Sequence, residues 1–370
     1  MTDGVLASGS AILYRLWDLG DEIDLPAADR LFADAAPSRR RPGRFEARAL
    51  SIPTLPLVLS LGGRRLTIGR EECEVESRAT LFDFGVVSLR LHITPSAELP
   101  WSRLVGLVAS LQGQAELEAV VAEQRDRLLD RLRPAVRALQ LADVAEDYTV
   151  VRLHRLHDAT GAPCDPRALD ERELGELLLP GGAALDPRTR ASLLAHRSSY
   201  TTQDLTVLGW DAGLVVEPDP ADTDVEQLLE FANAQLLELR VYDIRLGREL
   251  REMGTRITAA RRAAVGAFTG SYRTLLIDLL TVVAEVSELV ERAENAFKVT
   301  DDVYLGRVYT DAMRLFRADV WRADVARKLD TLRGTYTMLH DETQTTRAHL
   351  LEMAIILLFV VDIVLALLRR

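Results

Sequence analysis

Apolar positions in the first 221 residues fall in short runs with local alternation. The runs are "AILYRLW" (Ala11–Trp17), "LPLVLSL" (Leu55–Leu61), "RLTIG" (Arg65–Gly69), "ATLFDFGVVSLRLHI" (Ala79–Ile93), "YTVVRLHRLH" (Tyr148–His157) and "DLTVLGWDAGLVV" (Asp204–Val216). Their β-branched and aromatic content predicts strands. Gly62-Gly63 between two of them predicts a hairpin turn. Helices are expected near Trp101–Leu141, Pro166–Leu179 and Pro187–Ser199. Asp165-Pro166 and Asp186-Pro187 each supply an N-cap followed by proline at the first helical position. Residues 1–221 therefore read as a mixed α/β domain within an α+β chain.

The pattern changes at "VEPDPADTD", where Pro218 and Pro220 end the last strand. Thr223 with Glu226 forms a capping box that starts a helix. Val225, Leu229, Ala232, Leu236, Leu239, Asp243, Leu246 and Leu250 then keep alternating steps of four and three. Leu276, Leu279, Val283, Val286, Val290, Ala293 and Phe297 repeat the pattern, as do Val325, Leu329, Leu332, Tyr336 and Leu339. Such seams predict long helices packed at shallow, coiled-coil-like angles over residues 222–349. Asp243 occupies a seam position where an apolar residue is expected. It either fixes register, pairs with an arginine of "REMGTRITAARR", or lies on a helix rotated to expose it.

The chain closes on "LLEMAIILLFVVDIVLALLRR", residues 350–370. Leu350–Leu368 is 19 residues, interrupted by Glu352 and Asp362. As a helix it reaches roughly 28 Å, against a hydrocarbon core of about 30 Å. Its 14 Leu, Ile, Val and Phe residues favour insertion by on the order of 6 kcal/mol. That exceeds the roughly 3 kcal/mol that Asp362 costs if Glu352 reaches an interface. A C-terminal transmembrane anchor is the expectation, with a buried helix of an oligomeric bundle as the alternative. An acid at that depth faces protein or water rather than lipid, so Asp362 points to several copies packing together.

A net charge of −11 argues against a general nucleic-acid binder. The basic loop "SRRRPGR" (Ser38–Arg44) reads as solvated, since a few charges on an acidic protein attract phosphates only weakly. Cys73 and Cys164 form no zinc spacing and suit a reducing compartment. The opening "MTDGVLASGS" has neither a basic nor an apolar leader region, so no signal peptide is expected. There is no GxxxxGK[ST], GxGxxG, HExxH or GxSxG, and no cofactor or catalytic residue is assigned. His154, His157 and Cys164, with His196 further on, form a weak candidate cluster. On a strand the spacing of the two histidines sends their rings to opposite faces. Trp210 and Asp211 stand where a strand bends, and read as core packing plus a turn.

The ordered set "YRLWDLGDEIDL", "ATLFDFGVVSLRL", "SYTTQDLTVLGWDAGLVV", "ANAQLLELRVYDIRL", the spaced Trp321, Lys328 and Tyr336, and the closing apolar stretch resembles the "required for meiotic nuclear division" family. The resemblance singles out Tyr200, Asp204, Trp210, Asp211, Tyr242, Asp243 and Trp321 as interaction or structural positions. Glu352 and Asp362 match two acids ten residues apart in the family's apolar helix, whose second acid is often Glu. Nothing transfers between Leu153 and Gly182. The resemblance implies a membrane-associated protein with an α/β front and a helical rear. It also implies no established enzymatic activity, and a mitochondrial relative that supports translation. For this chain that means a bacterial inner-membrane protein facing the cytoplasm.

Two functions follow. The first is a membrane-tethered, homo-oligomeric, non-enzymatic scaffold whose cytoplasmic domain docks a protein partner, with the ribosome as a candidate by resemblance. The second is an anchored enzyme or nucleotide-binding module with a pocket in the α/β domain, which requires His154, His157, Cys164, His196 or Asp211 to converge.

Overall fold

A computed structural model describes residues 5–33, 54–179, 186–263 and 302–368, with Ile277, Leu280, Thr281 and Ala284. In chain order the elements are β1 (Leu6–Asp18), β2 (Glu22–Ile23), α1 (Leu25–Ala33), β3 (Leu57–Ile68), β4 (Glu71–Leu81), β5 (Val86–Pro95), β6 (Leu99–Pro100), α2 (Trp101–Ala109), α3 (Ala115–Leu132) and β7 (Val136–Arg137). They continue with β8 (Ala145–His157), α4 (Glu171–Leu178), α5 (Pro187–Leu193), β9 (Arg197–Ser198), β10 (Leu205–Leu208), β11 (Ala212–Val216), α6 (Asp224–Ala263), α7 (Val303–Leu315) and α8 (Ala318–Leu368). The chain divides into two compact units. One comprises Met1–Val241 and Ala296–Asp319, the other Tyr242–Asn295 and Val320–Arg370.

The first unit is built on a nine-stranded sheet in the order β3-β4-β5-β1-β8-β11-β10-β9, with β6 added beside β1. All pairings are antiparallel except β8 with β11. Strand alternation sends Ala11 and Leu13 of β1, Leu89, Leu91 and Ile93 of β5, and Val151 and Leu153 of β8 into one core. Leu104, Leu107 and Val108 of α2 and Leu174 and Leu177 of α4 cover it. The opposite face carries Tyr14 and Phe82, and here α6 packs: Phe231 lies 5.9 Å from the Phe82 ring and 6.4 Å from Phe84. Every residue from Val225 to Leu239 is buried. The first half of α6 is thus enclosed on all sides rather than along a single seam. Part of the enclosure is α7, whose Tyr309 hydroxyl bonds Gln235.

Several element boundaries differ from the sequence reading. Gly62-Gly63 is no hairpin turn: β3 runs through it with a register shift between Ser60 and Gly62, and the turn comes at Gly69. The run Ala79–Ile93 is two strands, separated by a turn that ends at Gly85. A side chain on Gly85, at φ +95°, would sit 1.8 Å from the Gly20 carbonyl oxygen, so only glycine fits. Asp186 caps α5 as expected, accepting from the backbone of Arg188 and Thr189. Asp165 caps only a single 3-10 turn, and α4, beginning at Glu171, is capped instead by Asp170. Thr223 does not share a capping box with Glu226. It takes Gln227, whose Nε2 lies 2.6 Å from its hydroxyl.

In the second unit Val325, Leu329 and Leu332 are buried, as is Leu246 of α6. The side chains of Tyr336 and Leu339, and the seam Leu276–Phe297 apart from isolated positions between its members, lie outside the described residues, as does the basic loop Ser38–Arg44. The α/β front followed by helices is present. The expected transmembrane anchor is corrected: among the described residues no helix is long and apolar enough to cross a membrane. The closing apolar stretch is the end of one 51-residue helix that begins at Ala318 and is densely charged before it. The physical reason lies with its acids. Counted as charged within the span, Glu352 and Asp362 together cost roughly 5–7 kcal/mol, which cancels an apolar gain of about 4–8 kcal/mol.

Candidate functional site

The sheet face beneath α6 carries a polar row drawn from four adjacent strands. Period-two alternation places Glu76, Arg78 and Thr80 of β4, Ser88, Arg90 and His92 of β5, Ser10 and Tyr14 of β1, and Arg152 of β8 on it. Register makes them neighbours: Glu76 faces His92, Arg78 faces Arg90, Arg90 faces Tyr14, and Ser10 faces Arg152. From above, α6 lowers Glu226 and Glu230, one helical turn apart, both all but fully buried.

Burying these acids requires partners. Arg152 Nε lies 2.6 Å from Glu226 Oε1, close enough for an ion pair although the two are not aligned as a hydrogen bond. The same guanidinium donates to the carbonyls of Asp219, Pro220 and Asp222 at 3.2, 3.1 and 2.5 Å. It therefore pins the entry loop of α6 as well as its first turn. Arg90 stands 3.9 Å from Glu230, and Tyr14 donates to the Glu226 carbonyl at 3.4 Å. Burial holds the Glu226 carboxyl above its ordinary range, with Arg152 opposing. Burial also drives the Tyr14 hydroxyl well above its usual value. With Arg78 bound to Glu76 at 3.1 Å, three arginines face three glutamates. The row is internally balanced, not a free basic patch.

At its far end the row carries two serine–histidine contacts. His92 Nε2 lies 2.6 Å from Ser10 Oγ, and His154 Nε2 lies 3.0 Å from Ser8 Oγ. Burial, with Arg90 and Arg78 adding, lowers His92 to about 4, so its ring is neutral at ordinary pH. His154 is lowered too, by burial first and then by Arg152. A β-bulge builds this end. Ser8 pairs with Arg155 and Gly9 with Leu153, leaving His154 as the extra residue. Gly9 cannot be replaced: a Cβ there would lie 2.1 Å from the Arg152 carbonyl oxygen.

The sequence candidates are dispersed. His154 is exposed. His157 is buried between Glu98 and the Asp158 carbonyl, each 3.0 Å away. Cys164 packs at the margin of the first core, and His196 sits half-buried before β9. Among the described residues no group of three or more His, Cys, Asp or Glu side chains is placed to hold a metal ion. Asp204 is buried and organises a loop. It accepts from the backbone of Tyr200 at 2.8 Å, and from the Thr201 backbone and hydroxyl. Burial raises this carboxyl, but those hydrogen bonds outweigh it and hold the group below its ordinary range. Tyr200 itself is 76% exposed, with its ring 5.9 Å from Tyr304.

Trp210 and Asp211 form the tight turn between β10 and β11. Trp210 is 47% exposed and so is no part of the core. In the second unit Tyr242 is buried, Trp321 half-buried, and Asp243 pairs with Lys328 of α8 rather than with an arginine of its own helix. Glu352 is exposed on α8, and the side chain of Asp362 lies outside the described residues.

Arg90, His92, Arg152 and Glu230 were not singled out from sequence, and Glu226 only as a capping residue. The signal was present: "SLRLH" and "VVRLH" each set polar residues at period two inside apolar strands, and Glu226 and Glu230 share a helix face. Polar residues spaced to one face of a central strand mark a buried polar layer.

Residues 8–223, more than half of the chain, match the family described as "Uncharacterized protein MJ0711, N-terminal domain". An uncharacterized protein of Methanocaldococcus jannaschii, MJ0711, is 26% identical over 175 residues, 47% of this chain and 52% of the relative. The chain thus spans about half the length of the curated relative it matches. No solved structure matches.

Proposed function

The chain belongs to the MJ0711 N-terminal-domain family, and for this member we propose a docking scaffold that assembles with further copies of itself. One observation carries the reading. On α8, Ile355, Ile356, Leu357, Leu358 and Phe359 are consecutive and each more than half exposed, with Val361 at 47%. At 100° per residue those five positions sweep the whole circumference of the helix. Packing on one side therefore leaves apolar surface uncovered. At about 100 Å² apiece the six residues offer on the order of 600 Å² per copy, the scale of one side of a standard interface. The same segment of a second copy is the occupant that matches this surface in length and in character.

The buried ion pairs support a scaffold in another way. Arg152 with Glu226, and Arg90 with Glu230, hold the root of α6 in the α/β unit. Resemblance to the meiotic nuclear division family supports translation machinery as the class of docked partner.

The test is the mass of the full-length protein in solution by light scattering, compared with a Leu357→Asp/Phe359→Asp variant. Multimers that become monomers, with the melting of the α/β unit unchanged, support the reading. A wild-type chain that is monomeric at tens of micromolar overturns it.

A further inference from the structure

We propose that Ser10 and His92 form a nucleophile–base pair that reacts with carboxylic esters, an activity separate from docking. The geometry carries it. His92 Nε2 is 2.6 Å from Ser10 Oγ, the contact a hydroxyl needs to surrender its proton as it attacks. The two residues reach each other diagonally across paired strands, β1 and β5, so the pair rests on the rigid centre of the sheet. Rigid elements hold reacting groups more closely than loops do.

Three further observations converge on these atoms. The bulge at Ser8/Gly9, with its obligatory close approach of β1 to β8, lies beside Ser10. Bulges recur next to active sites because they re-aim side chains. Arg152 faces Ser10 in register, and Arg90 lies two residues from His92 on the same strand face. Both guanidiniums are paired with glutamates of α6, so they hold the strands around the pair in place and add no net charge there. Ser10 is 5% exposed, while Ser8 two residues before it is half-buried and its partner His154 is exposed, so solvent reaches the neighbouring serine–histidine contact.

The chemistry balances without a cofactor. Ser10 Oγ forms a bond to the carbonyl carbon while its proton passes to His92 Nε2. The carbon–oxygen bond to the alcohol breaks, and the alcohol leaves with that proton. Water then attacks the acyl-serine with His92 again accepting a proton, and the carboxylic acid departs as Ser10 is restored. A ring that stays neutral down to about pH 4 is ready to accept a proton at neutral pH, but it is a weak base, so turnover is slow and covalent trapping is the better readout.

The experiment treats the full-length protein with a fluorophosphonate and locates the adduct by intact-mass and peptide mass spectrometry. The expected result is one adduct per chain, on Ser10. It is lost in Ser10→Ala, retained in Ser8→Ala, and formed about 100-fold more slowly in His92→Gln. The labelling rate of the wild type should rise through about pH 4 and then level off. Wild-type protein that takes no label, or an adduct mapped to Ser8 or any other residue, overturns the assignment. Because the adduct is mapped on the unmodified sequence, the outcome does not depend on a variant folding, nor on whether the protein oligomerises.

Discussion

Lys328 of α8 reaches Asp243 of α6 with its Nζ 2.7 Å from the carboxylate and 2.8 Å from the backbone carbonyl of the same residue. A seam position that should have been apolar is therefore filled by an acid with a dedicated cation. Both groups keep partial access to water, at 16% and 25% side-chain exposure. The pair falls between exposed ion pairs, worth under about 1 kcal/mol, and buried ones. Lys328→Met is expected to destabilise the helical unit by about 1–2 kcal/mol, and the double variant Lys328→Met/Asp243→Leu to recover most of it. A double-mutant cycle on urea unfolding reads the coupling. Equal losses in the single and double variants would mean that the pair fixes nothing.

Arg152→Met removes the ion-pair partner of a carboxylate that is 2% exposed, together with three bonds to the loop before α6. Leaving Glu226 buried and unpaired should cost about 3–5 kcal/mol. The second change Glu226→Gln should restore a large part, since a neutral amide is cheaper to bury than a charge. Equilibrium denaturation of the α/β unit measures both.

The His92 imidazole gives the stability a pH dependence of known sign. Its folded value, about 4, lies below the ordinary 6.5. Between those values the unfolded chain binds more protons, so the stabilising contribution is complete above pH 6.5 and fades as pH falls towards 4. On the order of 3 kcal/mol is at stake over that window. Melting curves of wild type and His92→Gln should converge in slope above pH 6.5, with only the wild type steepening below it. Parallel slopes throughout would show that the ring is not held neutral.

Asp204→Asn removes an ionised acceptor of two backbone amides and a hydroxyl. Charged acceptors make the stronger bonds, so a loss of about 1–2 kcal/mol is expected, confined to the loop Ser199–Asp204. Amide exchange at Tyr200 and Thr201 should quicken while the strands stay protected.

Much of this fold was legible because strand alternation is local. The runs containing β1, β8 and β11 stand out, and Asp186 caps where its proline neighbour placed it. The Gly62-Gly63 pair misled because glycine serves a strand irregularity as readily as a turn. The first half of α6 misled for a different reason. Its heptad seam is real, but Glu226, Glu230 and Glu238 on the remaining faces look like a solvated side. Only Arg90 and Arg152, more than 70 residues earlier in the chain, turn the first two of these acids into buried groups. The closing apolar run was read through summed residue preferences, a sum that one further acid brings from favourable to near zero.

The enclosure of α6 has a consequence for synthesis of the chain. The sheet is complete once Val216 has been made, yet the unit to which it belongs also needs α7, which arrives only after the whole stretch from Tyr242 to Asn295. At roughly 5–20 residues per second the wait lasts several seconds. During that time the far side of α6, with Gln235 and its neighbours, lacks its cover. A nascent chain in this state is exposed to premature association, and chaperone dependence should fall sharply once Phe316 has seated its ring against Tyr148.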